Sequence, residues 1–230
     1  MNRLFSYFSK KEWGLWTISV GLLFASYLLF EEKNPATLLV SILGVSSLLF
    51  CAKGHPIGQL LMVLFGSFYG VISYFANYYG EMITYLGMTV PMAIYALISW
   101  LKNPYHGKKS QVKVNTISQK EWWGLLCLTA VVTVGFFFVL KFLGTPNLFI
   151  STLSIATSFS ACYLSARRSP YFALIYGLND VVLIVLWLIA SVKEPSYLSV
   201  VICFFVFLIN DLYGFFSWKK MKANQQGSSR

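Results

Sequence analysis

The sequence predicts an all-α membrane protein of eight transmembrane helices. Two observations carry this, composition and the spacing of the apolar runs. Of 230 residues, 57% are hydrophobic and only 11% are charged, and the mean hydropathy is +0.65. A soluble domain carries roughly 25% Asp, Glu, Lys and Arg, so this chain lacks the charge to coat a globule of its size. A soluble enzyme, a disordered chain and a secreted disulfide scaffold are excluded together. The net charge of +10 does not mark a nucleic-acid binder, because the basic residues form short clusters between apolar runs rather than one face.

A bilayer-spanning helix needs about 20 mostly apolar residues. Eight runs qualify: Trp13–Phe30, Ala36–Ala52, Ile57–Tyr79, Met82–Trp100, Trp122–Phe142, Leu148–Ser165, Tyr171–Val192 and Ser196–Trp218. β-Barrel strands are about ten residues long and alternate in polarity. These runs are twice that length and apolar all round, so they are helices. The first follows Arg3, Lys10 and Lys11 but ends in Leu28-Leu29-Phe30 without a small-residue cleavage site, which predicts a retained helix rather than a signal peptide. Charged turn signals separate the others, among them Glu31-Glu32-Lys33-Asn34-Pro35, Lys53-Gly54-His55-Pro56, Arg167-Arg168-Ser169-Pro170 and Lys193-Glu194-Pro195. The weakest separator is Tyr79-Gly80-Glu81. Pro91 falls inside the fourth run, where it removes a backbone hydrogen bond and predicts a kink that could serve a gate.

Eight spans place both termini on one side. Fifteen of the 18 lysines and arginines fall there, and only Lys33, Lys141 and Lys193 fall on the other. The positive-inside rule then makes both termini cytoplasmic.

The two halves echo one another. Ser9-Lys10-Lys11-Glu12-Trp13 recurs as Ser118-Gln119-Lys120-Glu121-Trp122, each opening a helix. His55-Pro56 is matched by Arg168-Ser169-Pro170. Tyr95-x-x-x-Ser99-Trp100-x-Lys102 is matched by Tyr213-x-x-x-Ser217-Trp218-x-Lys220. Each unit holds four helices, an even number, so the two lie in the same orientation with a site expected between them.

Two acids sit where a bilayer does not favour them. Asp180 and Asp211 lie deep in the seventh and eighth runs, each after an asparagine (Asn179, Asn210), at a cost of roughly 2.5–3.5 kcal/mol for a central Asp. Asp180 shares a helix face with Tyr176 and Trp187, and Asn210 with Tyr213. An aromatic wall beside a carboxylate suits a flat cationic ligand. The alternative is interhelical glue, with these groups bonding across packed helices. At the matching positions the first unit has Phe65-Gly66 and Met92-Ala93, and its own polar candidates are Gln59, Tyr69 and Tyr95. Six of the seven tryptophans lie near the basic helix ends and form an interfacial belt; for Trp187 the belt competes with ligand stacking.

No catalytic or metal-binding set is visible. Cys51, Cys127, Cys162 and Cys203 are isolated, His55 and His106 are loop residues, and no phosphate-binding glycine loop is present. The sequence implies neither an enzyme nor a cofactor.

The stretch Asn210-Asp211-Leu212-Tyr213-Gly214-Phe215-Phe216-Ser217-Trp218-Lys219-Lys220 resembles the closing helix of the PnuC-type vitamin transporters. Tyr163-Leu164-Ser165-Ala166-Arg167-Arg168 and the Asn179-Asp180 helix are also similar, and the likeness extends more weakly over the first half. The resemblance implies a SWEET-like architecture. Residues 1–35 are then an N-terminal segment with an extra helix and 36–101 a first three-helix bundle. Residues 102–147 form a cytoplasmic loop and linker helix, 148–220 a second bundle, and 221–230 a disordered tail. It further implies facilitated diffusion (uniport) of nicotinamide riboside across a bacterial inner membrane for NAD synthesis, with a cytoplasmic kinase trapping the substrate. Relatives carry thiamine or riboflavin, and self-association into a homo-oligomer is left open. The residues themselves favour a cationic aromatic substrate, nicotinamide riboside or thiamine. Asp180 opposes the charge in that reading, and Asn179, Asn210 and Tyr213 bond hydroxyls or the carboxamide. A non-transporting receptor or assembly protein is the competing class.

Overall fold

A computed structural model of the chain describes residues 7–30, 35–75 and 79–227. Arg3, the Glu31–Asn34 separator and Arg230 lie outside the described residues. Among the described residues, eight helices are long and apolar enough to cross a bilayer: α1 Lys10–Phe30, α2 Pro35–Ala52, α3 Pro56–Phe75, α4 Tyr79–Lys102, α5 Gln119–Phe142, α6 Leu148–Ala166, α7 Tyr171–Ser191 and α8 Leu198–Gly227. All eight sequence-predicted spans are present with ends shifted by a few residues, save α8, which runs nine residues past the expected Trp218.

Helices α2, α3 and α4 form one bundle and α6, α7 and α8 a second, with α5 linking them and packed on α6. The bundles meet along two seams, α8 against α2 and α4 against α6, and α1 covers the first seam by packing on α2 and α8.

The repeat landmarks explain why the units fold alike. Ser9 and Glu12 exchange hydrogen bonds at the start of α1: the Ser9 N–H donates to Glu12 Oε2 (2.6 Å) and the Glu12 N–H to Ser9 Oγ (3.3 Å). At the start of α5 the Glu121 N–H donates to Ser118 Oγ (3.3 Å). Each glutamate then reaches the turn that ends the first helix of a bundle. Glu12 pairs with Lys53 at 3.2 Å, and Glu121 pairs with Arg167. Those two turns are also alike. Gly54 and Arg168 both take left-handed backbone (φ 66° and 56°), and their N–H groups donate to Cys51 O and Ser165 O. Arginine pays about 1 kcal/mol for that conformation. Its side chain is held there by bonds to Ser99 Oγ (2.7 Å) and the Lys113 carbonyl (3.2 Å).

The matching Ser-Trp pairs lock the seams crosswise at the end that carries the termini. Trp100 Nε1 donates to the Ser165 carbonyl (2.8 Å) and Ser99 Oγ to the Ala166 carbonyl (2.6 Å). In the other seam Trp218 Nε1 donates to the Cys51 carbonyl (2.7 Å) and Ser217 Oγ to the Ala52 carbonyl (2.7 Å). Both indoles are 0% exposed, and their rings approach to 5.3 Å between centroids. Each donor satisfies a carbonyl at a helix C-terminus that has no partner within its own helix.

Three local features differ from the sequence expectation. Pro91 does not merely kink α4: residues Tyr85–Thr89 form a π-helical turn just before it, with the Val90 N–H donating to the Tyr85 carbonyl. Widening the turn removes the clash of the proline ring with the carbonyl four residues back. Between α4 and α5 a short hairpin pairs Pro104–Tyr105 with Lys108–Val112. The expected tail is helical as far as Gly227, because Gln225 clamps that hairpin, accepting from the Val114 N–H (2.8 Å) and donating to the Val112 carbonyl (3.0 Å).

Candidate functional site

A cavity of about 590 Å³ opens between α4 of the first bundle and α6 and α7 of the second, at the end opposite the interlocked Ser-Trp pairs. Its volume falls within the range of small-molecule sites, roughly 300–1,000 Å³. The rim is built from the α5–α6 turn, Gly144 to Asn147, and from Lys193, Glu194 and Tyr197. Gly80 sits close against that turn: a Cβ there would lie 2.7 Å from Thr145 Oγ1, so a side chain would push α4 off the rim.

One wall is aromatic and acidic. Glu81, Thr84 and Tyr85 project from the first turns of α4. Spacing of four residues puts Glu81 and Tyr85 on one helix face, and the π-helical turn begins at Tyr85. The Tyr85 ring packs on Tyr69 with 4.5 Å between centroids, and Tyr69 neighbours the Glu81 carboxylate. The facing wall carries Asn179 and Trp187 from α7, with Trp187 against Tyr197 at 5.1 Å. Asn179 is held by Thr157, whose hydroxyl donates to Asn179 Oδ1 at 2.8 Å. A stripe of hydroxyls, Ser151, Ser154 and Ser158, lines the α6 side. The site therefore offers two π faces, an amide, several hydroxyls and a carboxylate.

Of the ten residues singled out in the sequence, only Asn179 and Trp187 line this cavity. Tyr69 stands behind its wall. Asp180 and Asp211 are buried to 4% exposure and neighbour each other between α7 and α8, away from the cavity lining. The two acids lie on facing sides of packed helices, so Asp180 does not face the cavity as a counter-ion. Asn210 likewise bonds inside the bundle, donating to Ser19 Oγ (2.9 Å) and the Val206 carbonyl (2.8 Å). Tyr176 meets Cys162 Sγ at 3.0 Å, and Gln59 donates to Ser165 Oγ at 3.0 Å. Tyr213 donates to Glu12 Oε1 at 2.9 Å, joining α8 to α1. Tyr95 is 57% exposed on the outer surface of α4. Sequence reading missed Glu81, Tyr85, the α6 serines and Tyr197. Tyr79-Gly80-Glu81 reads as a break between helices, which hides the i, i+4 relation of Glu81 to Tyr85.

The first unit has a shrunken counterpart of this cavity. A void of about 30 Å³ lies between α1, α2, α3 and α8, lined by Thr37, Phe65, Tyr69, Cys203, Phe204 and Phe207 among others. Phe65 occupies the repeat position of Asn179, and Phe65 and Phe207 pack at 5.8 Å. Aromatic side chains fill the space that the second unit leaves open.

Eight spans in two like-oriented bundles, with a cavity of ligand size between them, are the architecture of a membrane carrier. Comparison with known proteins places it further: residues 34–220 match the nicotinamide mononucleotide transporter family, and the chain belongs to that family. It is similar to the nicotinamide riboside transporter PnuC of Neisseria mucosa, 24% identical over 201 residues covering 84% of this chain and 76% of the relative. The nicotinamide riboside transporter PnuC of Haemophilus influenzae is 25% identical over 194 residues, 82% of each chain. A crystal structure of the vitamin B3 transporter PnuC superposes with a TM-score of 0.81 at 20% identity, covering 95% of this chain and 94% of that one, which establishes the shared fold.

Proposed function

We propose that this chain carries nicotinamide riboside inward across a bacterial inner membrane, by facilitated diffusion, as a supply for NAD synthesis. The charge of the cavity carries the reading. Its lining holds Glu81 and Glu194 against the single base Lys193, a net negative surface with aromatic walls. Nicotinamide riboside is a flat cation bearing a polyhydroxyl sugar. The mononucleotide in the family's name adds a phosphate, and no cluster of Lys or Arg lines this cavity to receive one. The names of the two bacterial relatives favour the riboside as well.

In this arrangement Tyr85 and Trp187 sandwich the pyridinium ring, Asn179 bonds its carboxamide, and the α6 serines bond the ribose. With the termini cytoplasmic, as the basic residues favour, the cavity opens to the outside and the Ser-Trp interlock closes the inside. Rocking of the bundles about the seams exchanges the two openings. A cytoplasmic kinase then retains the substrate by giving it a phosphate that the cavity does not accept.

Uptake of labelled substrate into liposomes holding the purified chain and no kinase tests this. The riboside enters until the inside and outside concentrations are equal, and the mononucleotide does not enter. Accumulation beyond equality overturns passive uniport, and equal entry of both compounds overturns the substrate assignment. Entry of thiamine in place of the riboside favours the second cationic aromatic vitamin.

A further inference from the structure

Glu81 is the one acid placed in the body of the cavity wall, since Glu194 sits at the rim beside Lys193. Among the described residues the two ion pairs are Glu12 with Lys53 and Glu121 with Arg167, and Glu81 belongs to neither. Its polar neighbour is the uncharged Tyr69 side chain. A carboxylate half-withdrawn from water between aromatic rings, with no cation beside it, carries a standing desolvation cost that a positive ligand offsets. The ring of Tyr85, one turn further along α4, presents a π face that also favours positive charge. The Tyr85 ring packs against Tyr69 at an interplanar angle of 49°, and Tyr69 in turn neighbours Glu81. The three side chains therefore form one unit, spanning α3 and α4, that aims a carboxylate and a ring into the same space.

We propose that Glu81, positioned by Tyr69, is the residue that selects a positively charged heteroaromatic ring over an uncharged ring of the same shape. This rests on the carrier reading above and assigns the charge selection to the first bundle, while Asn179 and Trp187 of the second bundle read the shape. The pseudo-equivalent position in the filled half is Ser199, so charge selection exists on one side of the repeat only.

The probes are nicotinamide riboside and its 1,4-dihydro form, which has the same sugar and carboxamide but no charge. Calorimetric titration of the full chain in detergent gives the affinity ratio of the two. The wild-type chain prefers the cation by about tenfold or more, about 1.4 kcal/mol. Glu81→Gln brings the ratio to within about threefold by weakening the cation alone, because the amide keeps the shape. Tyr69→Phe gives an intermediate ratio. A Glu81→Gln chain that keeps the full preference, or that loses both ligands equally, overturns charge selection by Glu81. The carrier reading fails separately, when the wild-type chain binds neither form. If the wild-type chain binds thiamine instead, loss of thiamine in Glu81→Gln supports the role of Glu81 and retained affinity overturns it.

Discussion

Replacing Trp218 by Phe removes the indole N–H that donates to the Cys51 carbonyl across the α8–α2 seam, 2.7 Å away. The ring is 0% exposed, so water does not replace the lost donor. The Cys51 carbonyl keeps the Gly54 N–H at 2.9 Å, so the change removes one of two bonds to it, at about 0.5–1.5 kcal/mol. That cost falls on the interlocked conformation alone, since opening the seam lets water reach the carbonyl. The balance between closed and open forms then shifts by about 2- to 12-fold. Cys51 is a built-in reporter, because its thiol is 3% exposed and lies on the seam. In a chain with Cys127, Cys162 and Cys203 changed to Ser, alkylation of Cys51 by a charged maleimide should accelerate by that factor in Trp218→Phe. Trp100→Phe, which removes the matching bond to the Ser165 carbonyl in the second seam, should act alike. Trp187→Phe makes the same chemical change at the other end of the molecule and should leave the rate unchanged. A Trp218→Phe rate equal to the parent's would show that the interlock does not hold the seam closed.

Asp180→Asn should cost less than about 1 kcal/mol in detergent unfolding, because an amide of the same shape can donate to the neighbouring Asp211 carboxyl. Asp180→Ala leaves Asp211 buried without a partner and should cost about 1–3 kcal/mol. In Asp180→Asn the riboside affinity should stay within threefold; a loss of more than tenfold would return Asp180 to the binding site. At the start of α3 the His55 Nδ1 accepts the Ile57 N–H at 3.1 Å, and burial holds the imidazole below its ordinary pKa. The neutral form is the one favoured on folding. Its stabilisation is present above the unfolded value near 6.5 and is lost as pH falls through the lowered folded value. The melting temperature should therefore drop between pH 7.5 and 5, and His55→Asn, which keeps an acceptor that does not titrate, should flatten the curve. An unchanged slope would remove His55 from that role.

The helices were legible because a bilayer demands long apolar runs, and no tertiary context overrides that demand. The repeat was legible for a different reason. Glu12 and Glu121 open matching helices because each must reach a basic residue at the end of a bundle's first helix, and the Ser-Trp pairs recur because each closes one seam. The site was only partly legible. Asn179 stands out as an amide in an apolar run, and it does line the cavity. Asp180 stands out equally, but adjacent residues on a helix point about 100° apart, and its face meets Asp211 rather than open space. A buried acid announces that it has a partner without saying whether the partner is a ligand or another helix. Glu81 failed in the opposite way. It lies beside a glycine at a helix start, where a charge looks unremarkable, and only the approach of α4 to the α5–α6 turn turns it inward.

The most direct measurement is calorimetric titration of nicotinamide riboside into the purified chain and into the Asn179→Ala, Trp187→Ala double variant. Both residues sit on the cavity wall, so their removal strips an amide and a stacking face without touching the seams. The expected result is at least a hundredfold loss of affinity, with the double variant still folded by circular dichroism. Affinity within threefold of the parent would contradict the placement of the substrate between α4, α6 and α7.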